Sequence, residues 1–83
     1  MVQQVNETID VLSVFREGRV QPVKFKWAGQ THTVRRIAYA WVTRKGAHPQ
    51  HHFSLLTGGS DVYELVFDTF KMSWLLVQVD VEE

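Results

Sequence analysis

The chain of 83 residues contains no cysteine. Disulfide bonds, thiolate metal sites and cysteine nucleophiles are therefore excluded from its chemistry. No apolar run approaches the roughly 20 residues that a membrane-spanning helix requires. The N-terminal residues also lack the basic segment followed by an apolar stretch that defines a secretory signal peptide. We therefore expect a cytoplasmic protein with no membrane partner.

Apolar residues sustained at the helical period of 3.6 are also absent, and alternation of apolar and polar residues takes their place. The alternating segments, separated by short turn signals, are 8–16, 20–27, 31–42, 51–57, 62–68 and 73–81. A meander of about six strands must curl on itself to bury one face. We therefore expect one all-β domain over residues 1–83, built as a small barrel or a rolled antiparallel meander.

Proline and glycine are few, and their positions mark breaks in the strands. Pro22 lies near the start of the second predicted strand, where a residue without an N–H indicates a sheet edge or a bulge. Residues 17–18, 28–30 and 58–61 each contain glycine and are predicted to be turns. The polar stretch 43–50 is predicted to be a loop.

The third predicted strand, 31–42, changes phase within itself. Val34 is on the even parity, whereas Ile37, Tyr39 and Trp41 are on the odd parity. A β-bulge near Arg35 and Arg36 would place all four side chains in the core. We favour this interpretation, because bulges are common where small barrels bend.

Without that bulge, Tyr39 and Trp41 would face outward on the same side as Arg35. If the hairpin loop before this strand has an even number of residues, Lys24 and Lys26 would join them. Aromatic rings among cations are the composition of a platform for single-stranded nucleic acid. The two alternatives therefore give this strand different functions.

The formal net charge of zero conceals a segregation of charge along the chain. Residues 16–45 carry eight cations and one acid, whereas residues 46–83 carry one cation and six acids. Such asymmetry is typical of a surface that binds an anion. We favour the alternative that basic and acidic strands pair across the sheet, with no partner involved.

Four histidines are the only residues that could form a metal site with nitrogen ligands. Three of them, His48, His51 and His52, are close in sequence. His51 and His52 are adjacent, however, so on a strand their side chains point to opposite faces. We therefore expect no metal and no cofactor.

No arrangement of side chains predicts catalysis. Glu64 and Asp68 share one face of a strand but stand about 13 Å apart at the strand rise, too far for a carboxylate pair. The serines lack a nucleophile-elbow context. Gly58 and Gly59 precede a strand and not a helix, so they do not form a phosphate-binding helix N-terminus. We expect a protein that is not an enzyme.

The last two predicted strands have apolar residues on both parities. Such strands are covered on both sides or contribute one face to an oligomer. We therefore predict a homodimer interface formed by Val62, Val66, Trp74 and Leu76.

Residues 22–29 read Pro-Val-Lys-Phe-Lys-Trp-Ala-Gly, and His32, Val34, Trp41, Phe53, Leu55, Gly58, Tyr63, Leu65 and Trp74 follow at set intervals. This order over residues 20–81 resembles a bacterial family of small all-β domains without assigned function. It is also similar to a C-terminal appendage of proteins that resemble Y-family DNA polymerases of the damage-tolerance type. The resemblance implies a small β-barrel used as an attachment or interaction module, and it supplies no catalytic residue.

These observations predict a non-enzymatic binding or interaction module with two candidate partners. One is single-stranded nucleic acid, bound through a basic hairpin face by Lys24, Lys26, Arg35, Arg36, Tyr39, Trp41, Arg44 and Lys45. The alternative is a protein–protein adaptor or a homodimerising barrel with no nucleic-acid role. The sequence pI of about 6.9 argues against the first partner, because dedicated nucleic-acid binders are usually basic overall.

Overall fold

A computed structural model describes residues 1–82 of the chain as seven antiparallel strands. In chain order these are β1 (Val2–Arg16), β2 (Arg19–Trp27), β3 (Gln30–Thr33), β4 (Arg36–Lys45), β5 (His48–Leu56), β6 (Val62–Asp68) and β7 (Ser73–Asp80). Residues 1–82 contain no helix that is long and apolar enough to cross a membrane.

The seven strands form one sheet in the order β3-β2-β1-β7-β6-β5-β4. The first three strands are one meander and the last four are another, joined where β1 pairs with β7. Residues 2–9 of β1 pair with β7, whereas residues 10–16 pair with β2, so β1 belongs to both layers. The expected all-β fold is confirmed as a rolled antiparallel meander, but the sheet does not close into a barrel.

The corner at Val34 and Arg35 divides the single strand predicted over 31–42, so the sheet has seven strands where about six were expected. The backbone N–H of Val34 donates to Val23 O at 2.9 Å, and that of Arg35 donates to Leu56 O at 2.8 Å. The chain therefore leaves β2 and joins β5 within two residues. A strand that exchanges partners in this way turns the sheet around the core.

The hairpin turns are short because their residues adopt the left-handed conformation. Glu17 and Gly18 have φ of 53° and 75°, and Ala28 and Gly29 have φ of 52° and 75°. Two consecutive residues with positive φ match the right-handed twist of the strands they connect. The predicted turns at these positions are confirmed, whereas the loop predicted over 43–50 is a tighter turn between Lys45 and His48.

Pro22 lies at both of the features that its position predicts, a bulge and a sheet edge. The pairing of β1 with β2 shifts between Leu12 and Ser13, because Lys24 opposes the first and Pro22 the second. Val23 is therefore the extra residue of a bulge. β3 pairs with β2 only from Lys24 onward, so Pro22 also lies on an unpaired edge.

The hydrophobic core lies between the two layers. Its aromatic members contact one another at short range, with ring centroids 5.2 Å apart for Phe25 and Tyr63 and 5.2 Å apart for Phe67 and Trp74. Leu55, Leu65 and Leu76 are completely buried. The other core residues are Ile9, Val20, Phe53 and Val79.

Replacing Leu65 with alanine should lower the free energy of unfolding by about 2–5 kcal/mol, because the deletion leaves a cavity in a closely packed core. Leu12 carries the same side chain but is 61% exposed on β1. Leu12→Ala is therefore the matched control and should change stability by less than about 0.5 kcal/mol. Urea denaturation followed by tryptophan fluorescence measures both, and equal losses would contradict this assignment of the core.

Candidate binding surface on strand β4

The eight residues predicted to bind nucleic acid lie in three places. Lys24 and Lys26 are on β2, and Arg35 is at the corner between β3 and β4. The remaining five are on β4, and they are Arg36, Tyr39, Trp41, Arg44 and Lys45. β4 is an outer strand of the sheet and pairs only with β5 among residues 1–82.

Strand β4 presents two aromatic side chains to solvent. Tyr39 is 73% exposed and Trp41 is 40% exposed, whereas Ile37 two residues earlier packs against the core. The register explains the change, because Ile37 pairs with Leu55 and Tyr39 already pairs with Ser54. Ala38 is the extra residue, and it reverses the face on which the following side chains point.

The bulge predicted at Arg35 and Arg36, with Tyr39 and Trp41 in the core, is therefore wrong. The corner at these residues does keep both Val34 and Ile37 against the core, as that prediction required. The second irregularity, at Ala38, then turns the two aromatic rings outward.

The alternative without a bulge placed Lys24 and Lys26 beside Tyr39 and Trp41, and the structure separates them. Lys24 and Lys26 oppose Thr33 and Thr31 of β3 in the three-stranded layer. Tyr39 and Trp41 lie on the layer formed by β4 to β7. The hairpin lysines therefore do not share a surface with the aromatic rings.

The cations of β4 lie in a stretch of the sequence without acidic side chains. No aspartate or glutamate occurs between Gly18 and Ser60, a stretch that contains seven arginines and lysines. Across residues 1–82, the single ion pair joins the N-terminal amine to Asp80 at 3.3 Å. Basic β4 neighbours β5, and the acids of β6 and β7 lie further along the sheet. Pairing with acidic strands therefore does not explain the cations of β4, although Lys26 of β2 opposes Asp10 of β1.

His52 supports Trp41 from the neighbouring strand. The two residues are cross-strand partners, and their rings stack with centroids 5.1 Å apart and planes 12° apart. The His52 Nε2 is 2.7 Å from the Thr43 Oγ1, so a hydrogen bond fixes the imidazole. The ring of Trp41 is thus held flat against a second ring, with its other side open.

Burial lowers the pKa of His52 below the ordinary value of 6.5; nearby His51 acts in the same direction and Glu64 opposes both. The His52 Nδ1 is enclosed and has no hydrogen-bond partner within residues 1–82. A proton added at this atom would carry charge into a site that offers it no acceptor. Neutral imidazole is therefore the form that this arrangement stabilises.

The remaining histidines of the predicted cluster are dispersed. His51 faces the core side near Phe67, with ring centroids 6.4 Å apart, which places it on the opposite face of β5 from His52. His48 packs against Phe70 with centroids 4.6 Å apart. Over the described range 1–82, no three histidine, aspartate or glutamate side chains come together as a metal site would require.

The hydrogen bonds of Asp68 on β6 indicate a structural role. Asp68 accepts hydrogen bonds from the backbone N–H groups of Phe70 and Lys71, at 2.9 and 3.1 Å. These bonds, above all the one from Lys71, lower the pKa of the Asp68 carboxyl. Asp68 therefore holds the turn between β6 and β7.

Three of the four residues of the predicted homodimer interface are buried within the fold. Trp74 and Leu76 are 7% and 0% exposed, because they point inward against Phe67 and Leu65. The irregular register beside Glu64 and Leu65 shifts the phase of β7, so that Leu75 and not Trp74 faces outward. Val66 is also buried and Val62 is half-buried. The prediction of an interface formed by Trp74 and Leu76 is therefore wrong.

Comparison with models of protein families, with curated proteins and with solved structures finds no match to this chain. The description of the surface therefore depends on the geometry of residues 1–82.

His52 should make the fold sensitive to acid. Because its pKa is lower in the folded chain than in the unfolded chain, the unfolded chain binds a proton more readily as the pH falls below about 6.5. Between about pH 7.5 and pH 5, the free energy of unfolding of the wild type should fall by more than that of His52→Gln. Above pH 7.5, protonation of His52 should not change the free energy of unfolding. Urea denaturation at each pH measures the difference, and equal losses would show that His52 does not titrate in this way.

Proposed function

We propose that this protein is a non-enzymatic binding module that holds single-stranded nucleic acid on the outward face of β4. The observation that carries the proposal is the pair of exposed aromatic rings, Tyr39 and Trp41, between cations at both ends of one strand. Arg36 stands before the pair, and Arg44 and Lys45 stand after it.

The two rings suit successive bases. Residues two apart on a strand present side chains to the same face about 6.6 Å apart. Stacking of a base on an aromatic ring contributes about 1–3 kcal/mol and depends little on sequence. His52 holds the Trp41 ring by stacking on it, which reduces the ordering that binding must impose.

The cations provide the electrostatic part. A strand of nucleic acid lying along β4 would carry phosphates near Arg36 at one end and near Lys45 at the other, because Arg44 has the opposite parity to Trp41 and points to the other face. β4 carries three cations and no acid, although the net charge of the whole chain is zero and Glu64 lies two strands away, opposite Ser54. A neutral chain can therefore present a local surface for an anion.

The proposal includes no catalysis, because the sequence has neither a nucleophile with a base nor a close pair of carboxylates. The resemblance of the Pro22–Gly29 hairpin to appended domains of polymerase-like proteins also implies an attachment or interaction module. A protein partner is the second candidate, and it depends on a different observation, the unpaired edge of β4.

Fluorescence anisotropy of a labelled single-stranded oligonucleotide tests the proposal. Binding should be strongest at low salt and should weaken linearly with the logarithm of salt concentration. Trp41→Ala should reduce the binding free energy by about 1–3 kcal/mol. Arg44→Glu with Lys45→Glu should weaken binding and reduce the slope of the salt dependence by about one, because only Lys45 shares the face of Trp41 and contacts a phosphate there.

Lys24→Glu with Lys26→Glu is the matched control. It changes the net charge by the same amount as the Arg44 and Lys45 variant, but on the other layer of the fold. Its effect on the salt slope should be smaller. Equal effects of the two double variants would show that only overall charge matters, and an absence of binding at low salt would eliminate the proposal.

A further inference from the structure

A cleft remains where the rolled sheet fails to close. It has a volume of roughly 410 Å³ and lies between the start of β2 and the core side of β4. Val20 borders it on one side and Ala40 and Val42 on the other, with Phe53 among the residues that line it. The lining of this cleft is thus largely apolar and is continuous with the core.

Strand edges lie on both sides of the cleft. Within the described part of the chain, one edge of β4 pairs with β5, and its other edge is unpaired along the ten residues of the strand. The unpaired part of β2 is shorter, because β3 covers it from Lys24 onward and Pro22 has no N–H to donate. β4 is therefore the edge that can accept another strand.

A second copy of the same edge would pair poorly with β4. In an antiparallel pair centred between Ala40 and Trp41, Arg36 would oppose Lys45. In a parallel pair in register, each cation would oppose its own copy. Like charges directly opposite destabilise a strand pair. Cations at both ends of an edge strand thus protect it from self-association.

The same charges attract a strand of the opposite sign. We propose that β4 accepts an extended acidic segment of a partner protein, which pairs along its free edge as an eighth strand. Alternate side chains of that segment face the cleft, so its inward residues are apolar and contact Val20, Ala40 and Val42. Its acidic residues lie toward Arg36 and toward Arg44 and Lys45.

This site overlaps the surface proposed for nucleic acid at Trp41, which also lines the cleft, and at the cations of β4, but the two sites differ elsewhere. Backbone pairing uses the edge of β4 and the apolar side that faces the cleft, whereas base stacking uses Tyr39 and Trp41 on the outward side. Tyr39 does not line the cleft, and Val42 does. Substitutions at these two residues therefore separate the two proposals.

A labelled synthetic peptide of about nine residues, alternating valine and glutamate, spans β4 and tests the proposal. It should bind, and amide hydrogen exchange measured by NMR should slow at alternate residues of β4, which is the pattern of an antiparallel ladder. A central proline in the peptide should weaken binding about tenfold or more, because ladder hydrogen bonds are lost. A version with lysine for glutamate should bind less tightly still.

Val42→Asp should weaken peptide binding, whereas Tyr39→Ala should weaken binding of the oligonucleotide and leave the peptide unaffected. Val42 is 55% exposed, so the aspartate is not forced into the core. The proposal is overturned if the peptide does not bind, if it binds without protecting β4 amides, or if the proline peptide binds equally well. Binding of the oligonucleotide alone would overturn this proposal and leave the nucleic-acid proposal standing.

Discussion

The pairing of β1 with both β2 and β7 is the constraint on which the rest of the structure depends. No other strand belongs to both layers of the described fold. Its pairing with β2 is a local hairpin, in which Val11 opposes Phe25, whereas its pairing with β7 joins residues as distant in sequence as Ile9 and Trp74. Until the pairs between β1 and β7 form, neither meander can cover the apolar face of the other. The fold therefore has much of its stability in non-local contacts, which is typical of slowly folding β proteins.

The exposure of the candidate surface follows from that arrangement. Because β1 and β7 occupy the centre of the sheet, β3 and β4 become its two outer strands. β3 is short and polar, so it leaves little edge open. β4 is long, and the corner at Val34 and Arg35 separates it from the layer that would otherwise cover it. The aromatic and basic side chains of β4 are thus exposed because of the strand order, which composition alone does not determine.

The all-β fold and its glycine-containing turns could be predicted from the sequence because alternation and turn residues are local signals. The side on which Tyr39 and Trp41 point could not. One extra residue reverses a face, and both Ala38 and Ala40 are small enough to fit either the core or the surface. In β7, the run Trp74-Leu75-Leu76-Val77 is apolar on both faces, so its pattern does not show which residues are inward.

The role of His52 was missed although the sequence contained a signal for it. A two-residue turn at Gly46 and Ala47 pairs Trp41 with His52, as the structure shows. The predicted loop over 43–50 is centred on the same two residues, so Trp41 and His52 flank it at equal distances. A loop without defined geometry does not determine cross-strand neighbours, whereas a two-residue turn does.

Met1 and Val81 meet at one end of the central pair of strands, β1 and β7. The Met1 amine donates to Val81 O at 2.7 Å, the Val81 N–H donates to Met1 O at 2.8 Å, and Val2 pairs with Asp80. β1 and β7 are antiparallel neighbours, so a force applied between Met1 and Val81 would load their hydrogen-bonded pairs one after another, beginning at this end of the two strands. Pulled in this direction, the strand that joins the two layers is the first to separate, and the domain yields mechanically to a small force.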